Sequence, residues 1–142
     1  MYYIEKKFSI PIGHRLYLNK NRCQNPHGHN FSILVGIKSE EVNNEGMVMD
    51  FTVLKEICNK VLDKFDHAFM LNSLDEELID LYIRRNFKVI VFDGEPTAEN
   101  LSCNLYNEIE WALKNYQFSN KIYMDYVTVY ENENSKATYR VS

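Results

Sequence analysis

Two segments of this chain gather their apolar residues on a single helical face, and that requirement for cover constrains the fold more than any other feature. Between 52 and 65, Leu54, Ile57, Cys58, Val61, Leu62 and Phe65 share one face, with Lys55, Glu56, Lys60 and Asp63 opposite. Asp50 or Thr52 would cap this helix. A second helix follows Pro96, with Thr97 as its N-cap and Leu101, Leu105, Ile109, Ala112, Leu113 and Tyr116 along its apolar side. Neither stripe can stand in water, so both helices need a sheet to cover.

Strands are expected on either side of this pair. Residues 2–11 mix aromatic and β-branched residues with charge and end at a Pro-Ile-Gly break, and 12–26 read as a polar loop. From 30 to 39, Phe31, Ile33, Val35 and Ile37 alternate with Ser32, Gly36 and Lys38, a period near two. This second strand is expected to run antiparallel to the first. Residues 121–131 and 136–141, separated by an Asn-rich turn, supply a closing hairpin. The stretch 73–95 reads as a helical turn around Leu74–Ile83 and a short strand at Val89–Phe92. The expectation is one α+β domain over residues 1–142, in the order ββααββ, with a four-stranded antiparallel sheet carrying two helices on one face.

The composition narrows the function classes. With ten Tyr, eight Phe and 45% hydrophobic residues the chain is built to fold. A net charge of −4 offers nucleic acid or an anionic membrane no diffuse attraction, so neither is an expected partner. The apolar runs are too short to span a bilayer and the start lacks a signal-peptide core, which makes a cytoplasmic protein the expectation. Three cysteines, Cys23, Cys58 and Cys103, without close spacing, fit a reducing compartment better than a disulfide framework.

His27-Gly28-His29 opens the second strand. Alternate positions on a strand point the same way, so two imidazoles ~7 Å apart at Cα can converge on one ion. His14, at the end of the first strand, would be brought beside them by antiparallel pairing. Three neutral nitrogens with a fourth position open is the ligand pattern of a catalytic zinc. His-x-His alone is a weak signal, and strand-end histidines commonly face solvent. Cys23, four residues before His27, lies in a loop that must pass near such a metal, where a thiol shifts toward thiolate and can act as a base. Asp66-His67 follows the first helix directly, as a couple in which the acid fixes the tautomer, or as a simple helix cap. Glu131, just past the end of an aromatic strand, and Glu99, in the first turn of the second helix, are equally compatible with solvated acids.

In order and spacing, these residues resemble the tunnelling-fold family of 6-pyruvoyl- and 6-carboxy-tetrahydropterin synthases. The resemblance rests on Phe8-Ser9 with Gly13-His14-Arg15, on Cys23 followed by His27-Gly28-His29-Asn30-Phe31, and on Gly46 to Phe51. It continues through Asp66-His67, Pro96-Thr97-Ala98-Glu99-Asn100, Val129-Tyr130-Glu131 and Tyr139-Arg140. It implies His14, His27 and His29 as Zn2+ ligands, Cys23 as general base, and Asp66 with His67 as a second proton-transferring element. Glu131 would anchor the pterin ring, whose amino group and ring N–H one carboxylate can accept together; Thr97 and Glu99 would help line that pocket. It also implies a homohexamer of two trimers with active sites between subunits.

The close spacing of Cys23 to the His-Gly-His pair is more similar to the bacterial 6-carboxy enzymes, which act on dihydroneopterin triphosphate on the way to queuosine, than to the longer animal 6-pyruvoyl type. A non-catalytic zinc- or pterin-binding module of the same fold is the alternative from another class. Pro26 before His27, Phe65 before Asp66, the spacing from His67 to Asn72 and the long 73–95 segment depart from the family pattern.

Overall fold

The computed structural model describes residues 1–142. Its elements are β1 (Tyr2–His14), β2 (His27–Ser39), α1 (Phe51–Leu62), β3 (Phe69–Asn72), α2 (Glu76–Arg84), β4 (Val89–Phe92), α3 (Ala98–Leu113), β5 (Tyr123–Asn132) and β6 (Ser135–Tyr139). A single 3-10 turn, Arg22–Gln24, interrupts the connection from β1 to β2. No helix is long and apolar enough to cross a membrane.

The α+β class is as expected, but the sheet is larger than four strands and is not wholly antiparallel. Six strands lie in the order β4-β3-β1-β2-β5-β6. β1, β2, β5 and β6 form the expected antiparallel set, and β3 and β4 extend it with parallel pairings to β1 and to each other. α2 is the crossover between these two parallel strands, which a tight hairpin cannot join. There are accordingly three helices rather than two.

β1 also runs past the Pro-Ile-Gly break to His14. Pro11 has no N–H to offer, yet it pairs with Asn30 in register and its carbonyl accepts the His67 N–H at 2.9 Å, so the strand continues through it.

Alternation along β2 sends Phe31, Ile33, Val35 and Ile37 into the core, all without exposed surface. α1 and α3 cover that face. α1 contributes Leu54, Ile57, Cys58, Val61 and Leu62, and α3 contributes Leu101, Leu105, Ile109 and Leu113. Of the two candidate caps of α1, Asp50 is the one used: its carboxylate accepts the Thr52 N–H at 2.7 Å. Thr97 caps α3 as expected, accepting the Asn100 N–H at 3.2 Å. Burial pushes the Cys58 thiol up to about 12, which leaves it an apolar core residue.

Candidate metal centre

The hairpin register decides which side chains meet. His14 pairs with His27, and Ile12 with His29. Residues paired across antiparallel strands share a face, so the three imidazoles stand together, beside Phe31. Their ring centroids lie 4.6 Å (His14 to His27), 5.0 Å (His14 to His29) and 5.0 Å (His27 to His29) apart. One ligand nitrogen from each ring falls within 4.8 Å of the others. Nitrogens on one tetrahedral zinc are about 3.3 Å apart, a contraction within reach of small ring rotations.

Two backbone carbonyls set the tautomers. His14 Nδ1 donates to the Pro96 carbonyl at 2.8 Å, and His27 Nδ1 donates to that of Asn25 at 2.6 Å. A carbonyl can only accept, so the proton sits on Nδ1 and Nε2 keeps its lone pair. His14 is 2% exposed and its Nε2 has no hydrogen-bond partner. An unpaired buried acceptor is costly unless something electron-poor fills the place.

Electrostatics favour the same species. Burial, chiefly, holds His14 below the usual imidazole range; the Pro96 bond opposes this, His27 and His29 add to it, and Glu131 opposes it. His29 is also lowered, first by burial, with Glu131 acting against it and His27 with it. Neutral rings with free lone pairs and a nearby carboxylate make a donor set that fits a divalent cation.

Glu131 reaches this neighbourhood through an irregularity. The β5–β6 register shifts between Tyr130 and Asn132, leaving Glu131 as the extra residue. Continuing the β2–β5 pairing from Ser32 and Tyr130 sets it opposite Phe31, on the histidine side. It is half-buried there.

The remaining candidates stand apart from the three rings. Cys23 is exposed in the 3-10 turn, held through its carbonyl, which accepts the Leu16 N–H at 2.8 Å. It lines a shallow basin with Lys20, Asn21, Arg22 and Asn25. His67 Nδ1 lies 2.7 Å from Asp66 Oδ1, and the imidazole is 81% exposed. His67 adopts a φ of 58°, which an L side chain takes up only when its surroundings impose it. Its N–H is tied to β1, and Lys88 Nζ donates to the Asp66 carbonyl at 2.7 Å.

The imidazole of His67 faces a cavity of about 770 Å³, which His29 also reaches. Gly13 and Gly28 form its floor, with Phe69, Tyr82 and Phe87 as aromatic walls. A Cβ on Gly13 would come 2.4 Å from the Phe69 ring, so only glycine lets that ring lie over the strand. Neither Thr97 nor Glu99 lines this cavity; Glu99 is exposed in the first turn of α3.

Three participants were invisible in the sequence. The Asn25 and Pro96 carbonyls are backbone groups with no signature of their own. The third, Glu95, sat in the poorly patterned 73–95 segment. Its Oε1 accepts the Tyr17 N–H at 2.9 Å and the Asn72 amide at 2.6 Å, and its Oε2 accepts the Leu18 N–H at 3.2 Å.

The family model described as 6-pyruvoyl tetrahydropterin synthase matches residues 3–142. A Rickettsia typhi protein named 6-carboxy-5,6,7,8-tetrahydropterin synthase is 34% identical over 108 residues, 73% of this chain and 77% of its own. A Dictyostelium discoideum protein named 6-pyruvoyl tetrahydrobiopterin synthase is 34% identical over 138 residues, 89% of this chain and 87% of its own. Among solved structures, Caenorhabditis elegans 6-pyruvoyl tetrahydropterin synthase superposes with a TM-score of 0.71 at 24% identity, covering 99% of this chain and 96% of that one. Matched over nearly its whole length, the chain belongs to the 6-pyruvoyl tetrahydropterin synthase family.

Proposed function

We propose that the chain, as a single domain over 1–142, is a zinc-dependent 6-carboxy-tetrahydropterin synthase. It would convert 7,8-dihydroneopterin triphosphate and one water to 6-carboxy-5,6,7,8-tetrahydropterin, acetaldehyde and triphosphate, the water supplying the second carboxylate oxygen, a step that feeds queuosine synthesis in the cytoplasm. The observation that carries the reading is the buried, unpartnered Nε2 of His14 beside His27 and His29. The relatives bearing the 6-carboxy name support the choice of reaction.

His14, His27 and His29 would hold the zinc, with Pro96 and Asn25 fixing two of the rings. Zinc bound there supplies Lewis acidity toward a side-chain oxygen of the substrate. Cys23 is the base that removes the proton from the neighbouring carbon. His67, its Nδ1 proton held by Asp66, offers Nε2 to the solvent side and relays protons. Glu131 accepts the amino group and ring N–H of the pterin, and Thr97 and Glu99, which stand outside the cavity beside His67, would border the bound ring. The exposure of Cys23 and of His67 fits sites completed by a neighbouring copy in a homohexamer of two trimers.

The 34% identity to the Dictyostelium protein favours a second reading, elimination of triphosphate from the same substrate to give 6-pyruvoyl-tetrahydropterin. Incubation of the zinc-loaded protein with dihydroneopterin triphosphate, followed by mass analysis, separates the two. Acetaldehyde with carboxypterin is the expected result. Pyruvoylpterin would transfer the assignment to the second reading, and unchanged substrate would leave a binding module.

A further inference from the structure

Glu95 and Pro96 are consecutive, and each grips a different part of the candidate site. The Pro96 carbonyl holds the His14 ring. The Glu95 carboxylate holds two successive backbone N–H groups, those of Tyr17 and Leu18, in the connection that carries Cys23. Within that connection Leu16 donates to the Cys23 carbonyl, so the grip on 17 and 18 lies next to the anchor of the thiol-bearing turn. Glu95 is itself immobilised. Asn72, 1% exposed at the end of β3, donates to Oε1, while the Glu95 carbonyl accepts the Asn100 side-chain amide at 2.8 Å and the Thr97 N–H at 2.9 Å.

From residue 15 to 26 the chain has no regular structure beyond one 3-10 turn. Besides the His27 bond to the Asn25 carbonyl at its far end, its side-chain ties to the rest of the molecule are this carboxylate and the ion pair of Arg15 with the buried Asp75, at 2.7 Å. Charge-assisted bonds from a carboxylate to backbone N–H groups are short, directional and stronger than neutral ones. An irregular segment gripped in this way keeps one conformation, where loops without such ties fluctuate.

We infer that Glu95 is a positioning residue, which fixes the Cys23-bearing connection and, through Pro96, the His14 imidazole in one mutual arrangement. The catalytic part of this inference rests on the reading of Cys23 as the base. The geometric part does not. A displacement of residue 95 must move the carbonyl at 96 and release the N–H groups at 17 and 18 together, so metal retention and thiol environment are coupled through two adjacent residues.

The test is Glu95→Gln in the full-length zinc-loaded protein, because the amide keeps the size but sets an NH₂ against a donor. Three quantities are read on the folded variant: zinc release to a chelator, alkylation of Cys23 by iodoacetamide followed by peptide mass, and kcat with KM. Zinc release should accelerate about 10–100-fold, the range seen when an outer partner of a ligand is lost. Cys23 alkylation should change at least severalfold, and kcat should fall more than KM rises. Asp93→Asn, an exposed acid two residues earlier, should change none of these. A folded Glu95→Gln protein with wild-type zinc release and wild-type alkylation overturns the inference. So does a change in only one of the two, since the claim is that they move together. If Glu95→Gln fails to fold, Asn72→Asp, which removes a donor and opposes the carboxylate with another charge, is judged by the same criteria. Absence of turnover in the wild type would sink the proposed reaction, while zinc release and alkylation would still decide the role of Glu95.

Discussion

His14 and His67 are each fixed at Nδ1 by an oxygen, at 2.8 Å from the Pro96 carbonyl and 2.7 Å from the Asp66 carboxylate, yet their surroundings are opposites. His14 is 2% exposed, and its partner comes from 82 positions away in sequence. His67 is 81% exposed on a turn of positive φ, with its partner next door. The first ring belongs to a cluster that one chain brings together: register gathers three imidazoles, and the core buries His14 while His27 and His29 stay partly open. The second has its tautomer set and its backbone pinned, but nothing in the chain covers it. A group fixed in this way and left open fits the shared site proposed above.

The strongest way to break this comparison is through the metal. His29→Ala should reduce zinc from about one per chain to near zero after dialysis, a weakening larger than the ~10–100-fold expected from loss of an outer partner. His67→Ala should retain zinc. Metal analysis of both proteins checks the pair of outcomes; full zinc in the His29 variant would dissolve the contrast.

A sharper version asks whether Cys23 and His67 of one chain serve the same site. Cys23→Ala and His67→Ala should each lower turnover by about 10²–10⁴-fold. Unfolded and refolded together, the two should recover roughly a quarter of wild-type turnover, because random assembly leaves that share of shared sites with both groups intact. Turnover assays on the mixture decide it. Recovery no better than the separate variants would assign both groups to one chain.

The smallest effect concerns the metal-free protein. Burial lowers His14 and His29 below their ordinary value of 6.5, so below that pH the unfolded chain binds more protons than the folded one. Stability is therefore present above pH 6.5 and is lost as pH falls toward the depressed folded values, chiefly through the buried His14 and less through His29, whose exposure lets solvent screen it. Urea midpoints of the apo protein should fall as pH is lowered from about 7.5 to about 5. His29→Ala should make that fall shallower.

The parts of the molecule legible in the sequence are those with long periodic patterns. β2 was plain from Phe31 to Ile37, and α1 and α3 from their apolar faces. β3 was not, because four residues, Phe69 to Asn72, are too few to display a period and follow a motif that attracts attention for other reasons. His14 was expected at the end of the first strand, but Pro11 made the strand itself read as ending at 11; its turn signal is overridden by pairing with β2. The histidine trio was legible because strand alternation and hairpin pairing are local rules. The supports were not: Pro96 reaches His14 through a backbone carbonyl, and Glu95 acts through backbone N–H groups that no side-chain pattern reveals.

The hairpin that carries the histidines is the most local pairing in the sheet apart from β5–β6, with His14 and His27 at its loop end. The bulged Glu131 arrives on β5, whose partner residues on β2 lie roughly two thirds of the chain length away. Closing the short loop costs far less chain entropy than closing the long one. In the time order of folding, the three imidazoles can meet early, and the carboxylate and the Pro96 carbonyl join them only when the distant halves of the chain dock. A zinc ion present during synthesis would thus find its ligands before the finished pocket exists, and binding it would bias the nascent chain toward the register that every later strand must copy.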